Sequence, residues 1–128
     1  MCGIAGLFGA SPGADRQALV TRMAARIRHR GPDGEGVFVD ARAALGHVRL
    51  SIIDAEGGAQ PMHSRDQRYV LTFNGEIYNY LELRTELEAD GVAFETHSDT
   101  EVLLAMLVRH GSDALPRLNG MFSFAFYD

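Results

Sequence analysis

The sequence is poor in the features that several classes of function require. It has a single cysteine, Cys2, among 128 residues, so no intramolecular disulfide can form, and a lone thiol fits a reducing cytoplasm. No apolar run approaches the length of a membrane-spanning helix. The N-terminus has neither the basic region nor the long apolar segment of a signal peptide, and only Met1 precedes Cys2, so a lipoprotein cysteine is excluded as well. Positive charge is not in excess: 12 Lys and Arg face 17 Asp and Glu, a formal charge of -5. Nucleic acid is therefore a poor partner, because phosphate binding needs a basic stripe. The cations that do cluster, Arg26, Arg28, His29 and Arg30, read as a helix C-terminus favoured by the dipole. The five histidines (His29, His47, His63, His97 and His110) have no ligand spacing and no cysteine partners, which argues against a metal site. His47 and His97 read as structural residues in preference to catalytic bases. Gly3, Gly6 and Gly9 recur every third residue without a following Gly-Lys-Ser/Thr, so they do not form a phosphate loop. Repeats, linkers and low-complexity tracts are missing too.

What remains is the composition of one ordinary globular domain, 46% hydrophobic and 23% charged, long enough to bury a core without staples. The pattern is mixed α and β. Gly3–Gly9 reads as a buried strand. A helix is expected from about Asp15 to Arg30, with Val20, Met23, Ala24 and Ile27 on one face and Gly31-Pro32 as the breaker. Strands follow near Gly36–Val39 and Ala43–Ile53, with a turn at Asp40–Arg42 and a loop from Gly57 to Pro61. Arg68–Phe73 alternates and ends at Asn74-Gly75, a turn signal. A second helix covers about Tyr80–Asp90, capped by Asn79, with Glu82 in its first turn and Gly91 after its end. A third starts at Ser98, which forms a capping box with Glu101, and stops at Gly111. The last strand, Met121–Tyr127, puts Phe122, Phe124 and Phe126 on one face. These aromatics call for a covering layer and a pairing neighbour, and the expectation is that the natural domain continues past Asp128.

Several groups could carry chemistry, each with a plainer alternative. Cys2 becomes N-terminal when Met1 is removed. Its freed α-amine, with a reference pKa of about 7.7–8.0, can act as base toward its own thiol. The alternative is an incidental small residue at a terminus, which the apolar strand immediately after Cys2 weakens. Asn74 and Gly75 could supply a side-chain amide and a backbone N–H to an oxyanion; the alternative is a hairpin turn. Arg49 suits a carboxylate and Asp99 an ammonium, against a surface cation and a helix N-terminal charge. Arg30-Gly31-Pro32-Asp33-Gly34 could fold over a ligand or be an ordinary connection.

Taken in order, Met1–Gly6, Arg28–Gly34, Leu45–Asp54, Gly58–Pro61, Asn74–Asn79, Ser98–Glu101 and Leu118–Ala125 resemble the class II glutamine amidotransferases, and within them the asparagine synthetases. The resemblance implies an α+β fold, the four-layer αββα sandwich of the N-terminal-nucleophile hydrolases, here C-terminally incomplete. Residues 1–128 would be the N-terminal part of the glutaminase domain. The synthetase domain, normally in the same chain, is absent. It also implies that Cys2 is the nucleophile and that Asn74 and Gly75 form the oxyanion hole. Arg49 would hold the glutamine α-carboxylate, the backbone of Leu50, Ser51, Ile52 and Ile53 would line the pocket, and Glu76 and Asp99 would surround the α-ammonium. Arg30, Gly31, Pro32, Asp33 and Gly34 would be the lid. The implied reaction hydrolyses L-glutamine to glutamate and ammonia through a Cys2 thioester. No cofactor is implied for that step; ATP and Mg belong to the synthetase domain, which would use the ammonia to amidate aspartate. Two alternatives stay open: the ammonia-supplying domain of another class II amidotransferase, and a non-catalytic glutamine-binding remnant, whose Phe-rich edge could make it a homo-oligomer. The implied location is cytoplasmic, with no membrane or nucleic-acid partner.

Overall fold

The computed structural model describes residues 1–9 and 15–128. Two antiparallel three-stranded sheets lie face to face with helices on both outer surfaces. The first sheet has the order β1-β3-β2, from β1 (Gly3–Phe8), β2 (Gly34–Val39) and β3 (Ala43–Arg49). The second has the order β4-β5-β6, from β4 (Met62–His63), β5 (Val70–Ile77) and β6 (Gly120–Tyr127). Helix α1 (Arg16–Arg26) packs on the first sheet, and α2 (Tyr80–Ala89) and α3 (Asp99–His110) cover the second.

β3 is the central strand of its sheet and is buried from Ala43 to Val48. Its residues alternate between two interiors, as strand geometry requires. Gly46 meets Val20 and Ala24 of α1, whereas His47 meets Thr72 of β5. In the second sheet Leu71, Phe73 and Ile77 pack with Leu83, Leu87, Leu103 and Leu107 of α2 and α3. Truncating one of these leucines to Ala costs about 2–5 kcal/mol. Phe122, Phe124 and Phe126 are half-buried against the same cluster. Their covering layer is thus the helical one and their pairing neighbour is β5.

Several boundaries differ from the sequence expectation, each for a local reason. The first helix ends at Arg26, and Arg28–Arg30 tighten into a 3-10 turn with bonds from Arg30 N–H to Ile27 O and from Gly31 N–H to Arg28 O. The tightening brings Gly31 onto β3, where a Cβ would lie 2.5 Å from the Arg49 nitrogen. β3 stops at Arg49 and does not reach Ile53, because the backbone donors just beyond it go to side chains: Leu50 N–H to Cys2 Sγ at 3.3 Å and Ser51 N–H to Asp33 Oδ2 at 2.8 Å.

Asn74-Gly75 is not a turn. β5 runs through it to Ile77, pairing Asn74 with Ser123 and Gly75 with Phe122. Gly75 has φ +156°, and a Cβ there would lie 2.6 Å from Phe122 Cα, so glycine lets the two strands close up. Asn79 does not cap α2 with its side chain. It binds the Arg117 carbonyl and the Asn119 N–H instead, tying the start of α2 to the approach of β6. Ser98 does cap α3 through Glu101 N–H, but Glu101 turns back to Glu95 N–H and Thr96, so only half of the expected box forms.

Candidate active site

One end of the sandwich opens into a narrow cleft of about 50 Å³. β1 delivers Cys2 to it, because Gly3 is packed tightly under Ile27 and Val48 and thereby fixes the chain just before the strand. Cys2 Sγ accepts a hydrogen bond from Leu50 N–H at 3.3 Å, and the Cys2 carbonyl accepts one from Arg30 Nε at 3.0 Å. Met1 is present and lines the cleft beside Cys2.

Arg49, Leu50, Ile52 and Ile53 form one wall, and Gly75, Glu76 and Asp99 form another. Of the residues expected at the site, Ser51, Asn74 and the Arg30–Gly34 loop do not wall the cleft. Asn74 lies just behind it. Its Oδ1 is buried without a protein partner among the described residues. The loop is stitched to the end of β3 by the Pro32–Arg49 bridge and by Asp33 N–H to Arg49 O at 2.9 Å. Gln60, Thr100, Phe73 and Met121 also line the cleft, without having been assigned a role from sequence. Gln60 fastens β5 to the start of α3, accepting from Phe73 N–H at 2.6 Å and donating to Thr100 Oγ1 at 3.4 Å. The Gly58–Pro61 stretch was the available signal for it, but the link to Phe73 and Thr100 is long-range.

The charges are arranged as opposing groups. Arg49 is half-buried and donates to the carbonyls of Ile53, Asp54 and Ala55, at 3.3, 2.5 and 2.7 Å. Asp99 is buried, and its Oδ2 accepts the Ile77 N–H at 3.0 Å. Burial pushes its carboxyl above the ordinary range, and the charge of Glu76 adds to this. One cation and two carboxylates around a single cleft complement a zwitterion, with the thiol placed beside them. His47 is fully buried, and burial, helped by the charge of Arg49, lowers its pKa to about 4. Its Nδ1 is 3.0 Å from Thr72 Oγ1, but Nε2 has no partner among the described residues, so the expected structural histidine is only half satisfied. Among the described residues no His, Cys, Asp and Glu groups gather as a metal site, and no helix is long and apolar enough to cross a membrane.

The chain is 49% identical over 131 aligned positions to asparagine synthetase [glutamine-hydrolyzing] 1 of Bacillus subtilis, covering 100% of this chain and 21% of that protein. It is 43% identical over 129 positions to asparagine synthetase B of Escherichia coli, covering 100% of this chain and 23% of that protein. The chain thus spans 21–23% of the length of these two curated relatives. In fold it is similar to the glutamine phosphoribosylpyrophosphate amidotransferase from B. subtilis, with a TM-score of 0.78 and 24% identity over 98% of this chain and 35% of that one. That likeness bears out the sandwich fold expected from the sequence. The glutamine amidotransferase domain model matches residues 1–128, and the chain belongs to that family.

Proposed function

We propose that this chain is a glutaminase that releases ammonia from the side chain of L-glutamine. After Met1 is removed, the Cys2 α-amine takes the thiol proton, directly or through water. The thiolate attacks the glutamine amide carbon. Gly75 N–H and the Asn74 amide stabilise the oxyanion. The amide nitrogen is protonated and leaves as ammonia, and a thioester remains on Cys2. Water then cleaves the thioester, restoring the thiol and releasing glutamate. Arg49 takes the α-carboxylate; Glu76 and Asp99 take the α-ammonium, whose positive charge favours the ionised form of Asp99. Leu50, Ser51, Ile52 and Ile53 shape the pocket through their backbone, and Arg30–Gly34 is the lid over it. The observation that carries this reading is the Cys2 thiol in one cleft with Arg49, Glu76 and Asp99.

The ammonia is used in the longer protein of which this is one domain. The named relatives are glutamine-hydrolysing asparagine synthetases, and we infer that the ammonia serves asparagine synthesis from aspartate in the cytoplasm, with ATP and Mg bound by a synthetase domain. An electrophilic diazoketone analogue of glutamine tests the site. Mass spectrometry should find a single adduct on Cys2, and excess glutamine should suppress it. Labelling elsewhere, or labelling that glutamine does not slow, refutes the assignment.

A further inference from the structure

The layer between the two sheets contains two polar atoms that the catalytic scheme leaves unexplained. His47 Nε2 and Asn74 Oδ1 are both buried and lack a protein partner among the described residues. They belong to facing strands: His47 lies over Thr72, and Asn74 is two residues further along the same face of β5, toward the cleft. Leaving a buried polar group unpaired costs about 1–3 kcal/mol, so two such atoms in one layer call for a common explanation.

We infer that His47 is a positioning residue that fixes the orientation of the Asn74 amide. Only one proton arrangement serves both atoms. The ring is neutral, since it is buried and Arg49 follows it on the same face of β3. A neutral imidazole has one donor and one acceptor. When Thr72 Oγ1 donates to Nδ1, Nε2 carries the proton, and its N–H serves Asn74 Oδ1 through one buried water. In the opposite tautomer Nε2 and Oδ1 would both be acceptors, and neither could supply the other with a proton. With Oδ1 held by His47, the amide N–H groups of Asn74 are turned the other way, toward the cleft. Thr72, His47 and Asn74 thus form a chain that sets which end of the amide the substrate meets.

This inference rests on the oxyanion role given to Asn74, and the experiment separates the two. Glutamate release is measured on the full, Met-processed chain for wild type, Asn74→Ala, His47→Leu, His47→Gln, Thr72→Val and the Asn74→Ala/His47→Leu double variant. His47→Leu should lower kcat about 10–100-fold with KM for glutamine held within about threefold, because the donor is misplaced while Arg49 and Asp99 are untouched. His47→Gln, which keeps an N–H near the position of Nε2, should recover most of the rate. The double variant should be no slower than Asn74→Ala alone. Thr72→Val removes the hydroxyl at nearly constant volume; it should move kcat in the same direction and substitutes for His47→Leu if that chain does not fold. A slow Asn74→Ala beside normal rates for His47→Leu and Thr72→Val overturns the inference alone. So does a loss expressed in KM, or losses that multiply in the double variant. An Asn74→Ala chain as fast as wild type overturns the oxyanion reading and the inference with it.

Discussion

Leu50 N–H points at Cys2 Sγ from 3.3 Å, across a sequence separation of 48 residues. The contact joins the first strand of the chain to the residue just past the end of β3, and Arg49, the cleft's cation, is the neighbour of the donor. Cys2 and Arg49, the proposed nucleophile and carboxylate-binding group, are therefore held in register by one short stretch of backbone. A thiolate at this position gains a hydrogen bond without any rearrangement, which is the kind of preorganised donor that favours charge developing at sulfur.

Retention of Met1 should abolish turnover. With Met1 in place the Cys2 nitrogen is an amide and cannot accept the thiol proton. Placing a bulky residue at the position of Cys2 would also delete the nucleophile, so the informative comparison is between processed and unprocessed chains of identical sequence, separated and verified by mass spectrometry. Full activity in the unprocessed fraction would rule out the α-amine as base.

Binding and chemistry should separate by residue. Arg49→Ala and Asp99→Asn should raise KM for glutamine at least about 10-fold, since each removes a charge-assisted contact of about 1.5–3 kcal/mol, while Cys2→Ala should abolish turnover and leave glutamine binding measurable by calorimetry. A kcat-only effect of Arg49→Ala would mean that its bonds to the 53–55 carbonyls are its whole role.

Two glycine substitutions should differ sharply in cost. At Gly75 an added Cβ would collide with β6, lying 2.6 Å from Phe122 Cα, so Gly75→Ala should lose about 2 kcal/mol or more in urea unfolding, as overpacking does. Gly91 also has a positive φ, +88°, but nothing lies within 4 Å of the Cβ position. Gly91→Ala should cost only the backbone conformational penalty of about 1 kcal/mol. Equal costs would mean that the β5–β6 approach is looser than described.

His47 should make the fold acid-sensitive. Its folded pKa is lowered to about 4 from the ordinary 6.5. Between those values the unfolded chain binds the proton more readily than the folded one. Stability from this group is therefore complete above about pH 6.5 and is lost as pH falls toward 4, a change of about 3 kcal/mol in all. Asp40, Asp54, Asp66 and Asp128, all held below their ordinary values, lose stability on acidification too, whereas Asp99, held above, moves the other way. The measurement is accordingly the difference between wild type and His47→Gln in denaturation midpoints across this range. Parallel profiles would show that the ring titrates normally.

Much of this architecture was legible in the sequence because it depends on local signals. Val20 and Ala24 mark the buried face of α1, Ser98 caps α3, and the β6 phenylalanines face the helical layer. The misreadings came where distant residues override local preference. Asn74-Gly75 has the chemistry of a turn, but pairing with Ser123 and Phe122, far along the chain, keeps it extended. Ala43–Ile53 reads as one long strand, but Cys2 and Asp33 capture the backbone donors of Leu50 and Ser51, just beyond Arg49. The site followed the same rule. Cys2, Arg49 and Asp99 stand out by residue type, whereas Gln60, at the cleft, and the Thr72–His47 pair, buried between the sheets, acquire meaning only once the two sheets have come together.

The central claim is that Cys2 is the nucleophile of a glutaminase, and its most direct test is glutamate release from glutamine by the Met-processed chain, with Cys2→Ala as control. The account predicts glutamate and ammonia in equal amounts from wild type and none from Cys2→Ala. Release that survives in Cys2→Ala, or none from a folded, processed wild-type chain that binds glutamine, would contradict it.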